Sequence, residues 1–204
     1  MKVTACIAGV IGFALWSSAC ATTSFVSTWK APDAQPFEPN GARVVALVMN
    51  SNEAARRAAE TTLAGELTKL GAVGVPMHTL SPQATPGSEA QVRAAVEKAG
   101  ATGVVVLRPT GTSQEITSTP TMYAGPMYGP FWGGYYGYGW GAPYGGSEIR
   151  TDTIVSIETL VYSLRQNKLV WAGQSKTTNP TNIESFVREI AEAAIKELRK
   201  EKLL

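Results

Sequence analysis

Two short, uninterrupted apolar runs constrain the fold of this chain more than any other feature. Arg43–Met49 reads RVVALVM and Gly103–Leu107 reads GVVVL. Val-rich runs of this length are typical of strands that are buried on both faces of a parallel sheet. Parallel neighbours need crossover connections, which are usually helices. The segment between the two runs therefore predicts a β-α-β-α-β unit with right-handed crossovers.

Helical patterns lie where those crossovers are needed. Glu53–Leu70 places its apolar residues on one face and is followed by Gly71, a residue that commonly ends a helix. A second helix is predicted over Ser88–Ala99. The weaker strand Ala72–Leu80 lies between them, and Pro76 within it predicts an edge position because proline cannot donate to the ladder.

The second half of the chain has a different pattern. Thr151–Leu164 reads as a long strand, and Leu169–Thr177 returns antiparallel after a short polar turn. A helix with a continuous apolar stripe follows over Ile183–Leu198, and Ser24–Lys30 near the start predicts a short edge strand. We therefore predict an α/β fold: a βαβαβ unit plus an antiparallel β-hairpin and a C-terminal helix on a mixed sheet of about five strands.

The N-terminus carries the pattern of a bacterial secretory signal. Lys2 precedes the mostly apolar stretch Val3–Leu15, and small residues follow. We assign residues 1–19 to a signal peptide, residues 20–40 to a lipid-anchored linker and residues 41–204 to a single α/β domain.

The end of this signal, Ser17-Ser18-Ala19-Cys20, resembles a lipobox, the recognition site of bacterial lipoproteins, although Ser17 stands where Leu is usual. The resemblance implies that Cys20 becomes the first residue and carries acyl chains such as palmitate. Ala21 in place of Asp implies the periplasmic face of the outer membrane. The alternative is cleavage after Ala21, which gives a periplasmic or secreted protein without an anchor.

Composition limits the classes of partner that the chain is expected to bind. The net charge is +2 and the chain has no run of Lys or Arg, which argues against nucleic acid as a partner. Cys6 lies within the signal, so the mature chain has no pair of cysteines for an internal disulfide. The sequence itself names neither a specific partner nor an oligomeric state.

The motifs of common catalytic and cofactor sites are missing. No G-x-G-x-x-G opens a helix and no G-K-[ST] is present, so no nucleotide cofactor is expected. No G-x-S-x-G marks a nucleophilic serine. His78 is the single histidine, which is too few for a structural zinc site. We expect no catalytic residues, no cofactor and no metal, with His78 a partly exposed strand residue and the acidic residues mostly on solvated helix faces.

The longest uncharged stretch, Ile116–Ser147, holds six of the seven tyrosines. Its glycine and proline content argues against a regular element, so residues 116–147 are predicted to be a loop insertion. Amphipathic aromatic rings favour membrane interfaces and binding surfaces, and the alternative is a loop with no specific partner. The candidate residues for contact with the membrane, peptidoglycan or envelope proteins are Tyr128, Phe131, Trp132, Tyr135, Tyr136, Tyr138, Trp140 and Tyr144.

Two short motifs carry a wider resemblance. Ser27-Thr28-Trp29 after the anchor and Lys168–Trp171, KLVW, before the last helix resemble those of small bacterial envelope lipoproteins that also have a Tyr/Gly insertion. The core layout is similar to the amino-terminal domain of TolB and to CsgG-like lipoproteins. CsgG-like proteins form pores with hairpins, but the prolines within 116–147 argue against membrane strands here. Trp29 and Trp171 are expected to be core aromatics.

The sequence thus favours a non-catalytic, lipid-anchored envelope lipoprotein whose periplasmic domain acts in envelope structure, assembly or partner binding through the aromatic loop. The alternative is a secreted or periplasmic soluble hydrolase. A deep pocket near Glu158 or His78 would favour that alternative.

Overall fold

The protein is described by a computed structural model that covers residues 22–81, 89–121 and 146–204. Within these ranges six strands form one mixed sheet in the order β1-β6-β5-β4-β2-β3, with four helices against it. The elements in chain order are β1 (Thr22–Lys30), β2 (Arg43–Val48), α1 (Glu53–Lys69), β3 (Val73–Pro76), α2 (Met77–Leu80), α3 (Glu89–Lys98), β4 (Gly103–Thr121), β5 (Gly146–Ser163), β6 (Lys168–Thr178) and α4 (Ile183–Lys200).

The sheet has a parallel part and an antiparallel part. β2 runs parallel to β3 on one side and to β4 on the other. β4, β5, β6 and β1 then pair antiparallel in that order. The predicted α/β class, with its βαβαβ unit, hairpin and C-terminal helix, is confirmed, and the sixth strand is β1.

Helices cover both faces of the parallel part. Side chains alternate between the faces of a strand, so Ala46 and Val48 of β2 pack in one cluster with α1 and α4, whereas Val45 packs with α2 and α3 on the other face. Within these clusters, Ile190 of α4 is 1% exposed and Met77 of α2 is fully buried. The core therefore consists of two apolar layers separated by the sheet.

Both long helices begin at an asparagine cap. The Asn52 side chain accepts a hydrogen bond from the Ala55 N–H at 3.0 Å, and the Asn182 side chain accepts one from the Ser185 N–H at 2.8 Å. Such bonds satisfy backbone donors that have no partner within the helix. Gly71 follows α1 with φ +92°, a left-handed conformation that suits glycine. The predicted positions of both helices are confirmed to within two residues.

The strand predicted over Ala72–Leu80 is shorter than expected. β3 ends at Pro76, and Met77–Leu80 form the short helix α2. Proline has no N–H to continue a ladder, and the turn into α2 buries Met77 between Val45 and Val96. β3 is an edge strand, as Pro76 predicted.

β1 lies within the range that the sequence assigned to a linker. Thr22–Lys30 pairs along its length with β6, so most of the first half of residues 20–40 belongs to the sheet. A bulge between Phe25 and Ser27 shifts the register and reverses which face the following side chains point to. Phe25 packs on Trp171, but Trp29 is 48% exposed. The expectation that Trp29 is a core aromatic was therefore wrong, whereas Trp171 is fully buried, as expected.

Candidate functional site

The most unusual part of the sheet is an antiparallel ribbon formed by the far ends of β4 and β5, which is two-stranded beyond the pair Ser113–Ile154 because β6 pairs with β5 only from Ile154 onward. β2 pairs with β4 only as far as Val48 opposite Leu107. Beyond that point β4 continues to Thr121 and pairs with β5 on one side, the last pair being Thr121 with Gly146. In the described part of the chain its other edge, from Arg108 onward, pairs with no strand. This paired segment, Arg108–Thr121 with Gly146–Glu158, is called the ribbon below.

The ribbon extends six residues into the predicted loop at its first end and two at the other. Ile116–Thr121 and Gly146–Ser147, placed in the insertion 116–147 by the sequence, form ladder pairs. Every residue from Arg108 to Thr117 is exposed, and Ile116 is 72% exposed. Exposure on both faces removes the apolar alternation by which a strand is recognised in a sequence, which explains why the prediction ended the strand at Leu107.

The register of the sheet shows which end of the molecule the ribbon occupies. Thr22 pairs with Thr178, which pairs with Ile154, which pairs with Ser113. β4 continues from Ser113 to Thr121 in the direction away from the rest of β1. At about 3.3 Å per strand residue this is roughly 26 Å beyond the level of Thr22.

Residues 122–145 connect the two strands at this tip. All eight candidate aromatic residues belong to the connection and lie outside the described residues, as does Cys20. Their positions along the chain nevertheless place them between Thr121 and Gly146. The aromatic segment is therefore attached at the end of the ribbon. This is the same end of the sheet, along the strand direction, as the N-terminal end of β1.

Ion pairs fix the ribbon where it joins the sheet. Arg108 of β4 donates to the Glu158 carboxylate of β5, with 2.7 Å between Nε and Oε2. Farther along β5, the Asp152 carboxylate accepts from Asn179 Nδ2 at 2.7 Å and from Arg150 Nε at 2.9 Å. These bonds, that from Asn179 foremost, lower the pKa of Asp152 below its ordinary value of 3.8. Glu158 is thus one half of a cross-strand ion pair.

A second polar cluster lies at the carboxyl ends of the parallel strands. Glu60 of α1 is fully buried, and its carboxylate accepts from the His78 N–H at 2.8 Å and lies 2.9 Å from His78 Nδ1. The Arg56 guanidinium and the Val48 N–H both lie 3.4 Å from it. A carboxylate offers about four lone-pair directions, and these four contacts account for them. The cluster joins α1 to the end of β2 and the start of α2.

The sequence did not predict this cluster. His78 is partly exposed, as expected, with 16% of its side chain accessible, but it belongs to the helix α2, so its assignment to a strand was wrong. Glu60 is likewise an exception to the expectation that acidic residues lie on solvated helix faces. One signal was present. Glu60 stands three residues before Leu63 and seven before Leu67, which places it beside the apolar face of the predicted helix. Arg56 stands four residues before Glu60, the spacing of a helical ion pair.

The described residues also enclose an apolar cavity of about 70 Å³ between the sheet, α1 and α4. Neither His78 nor Glu158 lines it, so the pocket that would favour a hydrolase at those residues is not this one. In residues 22–81, 89–121 and 146–204, no three His, Cys, Asp or Glu side chains are grouped to hold a metal ion. Nor does any helix of these ranges have the length and apolar character needed to cross a membrane.

Comparisons with known proteins gave similarity only at the level of solved structures. No protein-family model matches the sequence, and no curated protein sequence matches it. The PelC dodecamer from Paraburkholderia phytofirmans aligns with a TM-score of 0.43 at 12% identity, covering 85% of this chain and 94% of that chain. The lipoprotein GNA1162 from Neisseria meningitidis aligns with a TM-score of 0.40 at 14% identity, covering 78% and 99%.

A third solved structure is similar over a smaller part of its own length. A PDZ domain protein from Parabacteroides distasonis has a TM-score of 0.37 at 7% identity, covering 88% of this chain and 35% of that chain. All three TM-scores lie below 0.5, so these similarities assign neither a family nor an activity to the chain. The functional argument rests on its own residues.

Proposed function

We propose that this protein is a non-catalytic lipoprotein of the bacterial envelope, anchored through Cys20 to the periplasmic face of the outer membrane. Its α/β domain acts in envelope structure or assembly by binding a partner at the membrane. The aromatic residues between Tyr128 and Tyr144 make the contact. The ribbon carries them, and the sheet holds the ribbon in a fixed direction.

The observation that carries this proposal is the direction of the ribbon relative to β1. Cys20 precedes Thr22, the first residue of β1, by two positions, and two residues span at most about 7 Å. An acylated Cys20 therefore holds the Thr22 end of the sheet close to the bilayer. The end of the ribbon at Thr121 lies beyond the level of Thr22, on the side away from the rest of β1. At about 3.3 Å per strand residue, the separation along the strand is roughly 26 Å. Anchor and aromatic segment thus belong to one end of the domain.

The composition of the aromatic segment suits a contact near the membrane anchor. Tyrosine and tryptophan combine an apolar ring with a polar group, and they are enriched at membrane–water interfaces and at the centres of protein interfaces. The segment between Thr121 and Gly146 contains no charged residue, so its burial against a partner would not require the desolvation of a charge.

Two features support a role without catalysis. The buried carboxylate of Glu60 already accepts from backbone and side-chain donors around it, so accepting a proton from a substrate would require one of those bonds to break. Glu158 is paired with Arg108. The expectation that the protein is not an enzyme remains a prediction, and the hydrolase alternative has no specific support from the described residues.

Site-specific photo-crosslinking in the native host tests the partner contact. A photoreactive residue at Trp140 should give crosslinks to an envelope protein, peptidoglycan or lipid. The same residue at Val73, which is 46% exposed on β3, should give none of these products and serves as the matched control. Equal products from both positions would contradict the proposal.

A deletion separates binding from folding. Removing residues 122–145 and joining Thr121 to Gly146 by a short Asn-Gly turn should abolish the crosslinked partner. The free energy of unfolding should be retained or rise by at most about 2 kcal/mol, because each halving of the loop length lowers the entropic cost of closure by about 0.6 kcal/mol. Loss of folding would show instead that the segment is structural.

The anchor has its own test in the intact mass of the mature protein. Acyl mass on Cys20, absent from a Cys20→Ser variant, is expected. An unmodified chain that begins at Thr22 would remove the outer-membrane location from the proposal.

A further inference from the structure

The cavity between the sheet and the α1/α4 layer has a floor, two walls and a mouth. Its floor is formed by β2, β4 and β5, and its walls by apolar residues such as Leu63 of α1 and Ile190 of α4. The lining also includes Gln35, which is exposed, and Phe37 and Leu204, which are half-buried, and we take the mouth of the cavity to lie beside these residues. The cavity volume of about 70 Å³ exceeds what a single water molecule needs.

One polar group in this lining has no partner. Thr159 of β5 is 2% exposed, and its hydroxyl is buried without a hydrogen bond in the described structure. Its neighbours two positions away on the strand, Ile157 and Val161, pack in the clusters formed with α4, so Thr159 also faces the cavity side of the sheet. Buried hydroxyls are nearly always hydrogen-bonded, and an exception needs a physical reason.

The other polar side chains of the lining are already satisfied or lie at the surface. Glu66 forms an ion pair with Lys69 at 2.7 Å and lies 3.6 Å from Arg188. Gln35 and Tyr162 are exposed. A buried water usually makes about three hydrogen bonds, and the apolar residues that dominate the lining do not provide them. The occupant that fits is therefore mainly apolar and brings one hydrogen-bonding atom.

We propose that this cavity binds the end of an alkyl chain that carries a hydroxyl or carbonyl oxygen, with that oxygen bonded to the Thr159 hydroxyl. The volume sets the size of the bound part, because an apolar cavity of about 150 Å³ accommodates benzene. About half that volume accepts three or four non-hydrogen atoms, and the rest of a longer chain leaves through the mouth beside Gln35. This inference does not depend on the lipid anchor or on the aromatic segment.

The test compares two probes of equal size. The purified full chain, in detergent-free buffer, is titrated with 1-propanol and with 1-chloropropane, which has the same number of non-hydrogen atoms but no hydroxyl. Methyl NMR signals of Thr159, Val161 and Ile190 report occupancy. Both probes should shift these signals, while signals from the α2/α3 face stay unchanged.

A Thr159→Val substitution isolates the hydrogen bond. It keeps the shape of the side chain and removes a hydroxyl that has no partner, so folding should be retained. The Kd of 1-propanol should rise about threefold to tenfold, the value of one neutral hydrogen bond, and that of 1-chloropropane should stay the same. Thr177→Val is the matched control, since Thr177 is fully buried but does not line the cavity; it should leave the ratio of the two Kd values at its wild-type level.

A second variant tests the location. Ala194→Leu extends a lining residue of α4 into the cavity and should abolish binding of both probes. Shifts that persist in a folded Ala194→Leu protein would place the probes elsewhere and overturn the proposal. An unchanged Kd ratio in Thr159→Val, or no shift of the lining methyls in the wild type, would also overturn it.

Discussion

β4 passes through two different environments, and the change occurs at Leu107. From Gly103 to Leu107 it is paired on both sides and packed on both faces, with Val106 and Leu107 4% and 2% exposed. From Arg108 to Thr117 the same strand is paired on one side and exposed throughout. The segment Gly103–Leu107 belongs to the packed core, and the part of the strand beyond Ser113 extends away from the other strands of the sheet.

The two environments of β4 have different roles: the packed segment stabilises the fold, and the exposed segment is accessible to other molecules. Apolar burial contributes about 25 cal/mol per Å² removed from water, so the two-layered part of the sheet supplies most of the stability. An exposed strand edge presents unpaired N–H and C=O groups and is available for contact with another molecule. The part of the ribbon beyond Ser113 and Ile154 can therefore serve as a carrier for the aromatic segment while contributing little to the stability of the core.

The largest expected loss of stability comes from replacing the buried tryptophan of β6, compared with the exposed tryptophan of the neighbouring strand β1. Trp171 is fully buried and makes an edge-to-face contact with Phe25, with 5.4 Å between the ring centroids. Trp171→Ala should lower the free energy of unfolding by about 3–5 kcal/mol, measured by chemical denaturation. Trp29→Ala is the control, because its ring is half exposed and should cost about 1 kcal/mol or less. Equal losses would contradict the reversal of faces at the β1 bulge.

A smaller but distinct effect is expected from two glutamates that both form ion pairs with arginine. Glu60→Ala leaves Arg56, whose side chain is 9% exposed, without its buried partner and should cost about 3 kcal/mol. Glu158→Ala breaks a pair at the base of the ribbon, where the Glu158 side chain is 27% exposed, and should cost about 1 kcal/mol or less. Comparable losses in denaturation experiments would mean that the base of the ribbon is as important to stability as the closed part of the sheet.

The same contrast explains how much of the fold the sequence could predict. Uninterrupted Val-rich runs and the apolar stripes of α1 and α4 are patterns that burial produces, so β2, α1 and α4 were predicted with nearly correct limits. The ribbon has no such period, because Thr110–Thr117 meets solvent on both faces. Its strand character is set by pairing with β5, a long-range contact that local sequence does not encode.

Individual residues were misjudged for similar reasons. The exposure of Trp29 depends on one extra residue in the β1 bulge, which changes the phase of the strand without a recognisable sequence signal. Glu60 and His78 are 18 positions apart, and only the turn of the chain at Pro76 brings them together. The candidate contact residues of the tip were selected by composition alone, which identifies an interface type but not its geometry.

The smallest expected effect is a pH dependence at the ribbon. Asn179 and Arg150 hold the pKa of Asp152 below its ordinary value of 3.8. A carboxyl group whose pKa is lower in the folded state stabilises the protein above its unfolded-state pKa, and this contribution is lost as the pH falls through the folded-state value. Asp152→Asn should therefore be less stable than the wild type at pH 7, and the two should converge only as the pH falls from 3.8 through the lowered folded-state pKa of Asp152. Because the Asp152 side chain is partly exposed and its partner Arg150 is exposed, the difference should also shrink in high salt.

The matched control for Asp152 is the carboxylate directly opposite it on β4, Glu115. Like charges opposite each other on neighbouring strands repel, so Glu115→Gln should leave the stability at pH 7 unchanged or slightly higher. Thermal unfolding from about pH 2.5 to 7, a range that spans the ordinary carboxyl pKa, distinguishes the two variants. If Asp152→Asn kept the wild-type profile, the hydrogen bonds from Asn179 and Arg150 would not stabilise the folded state. The part of the ribbon around Asp152 would then depend mainly on its backbone ladder, which would sharpen the contrast with the packed segment Gly103–Leu107 of β4.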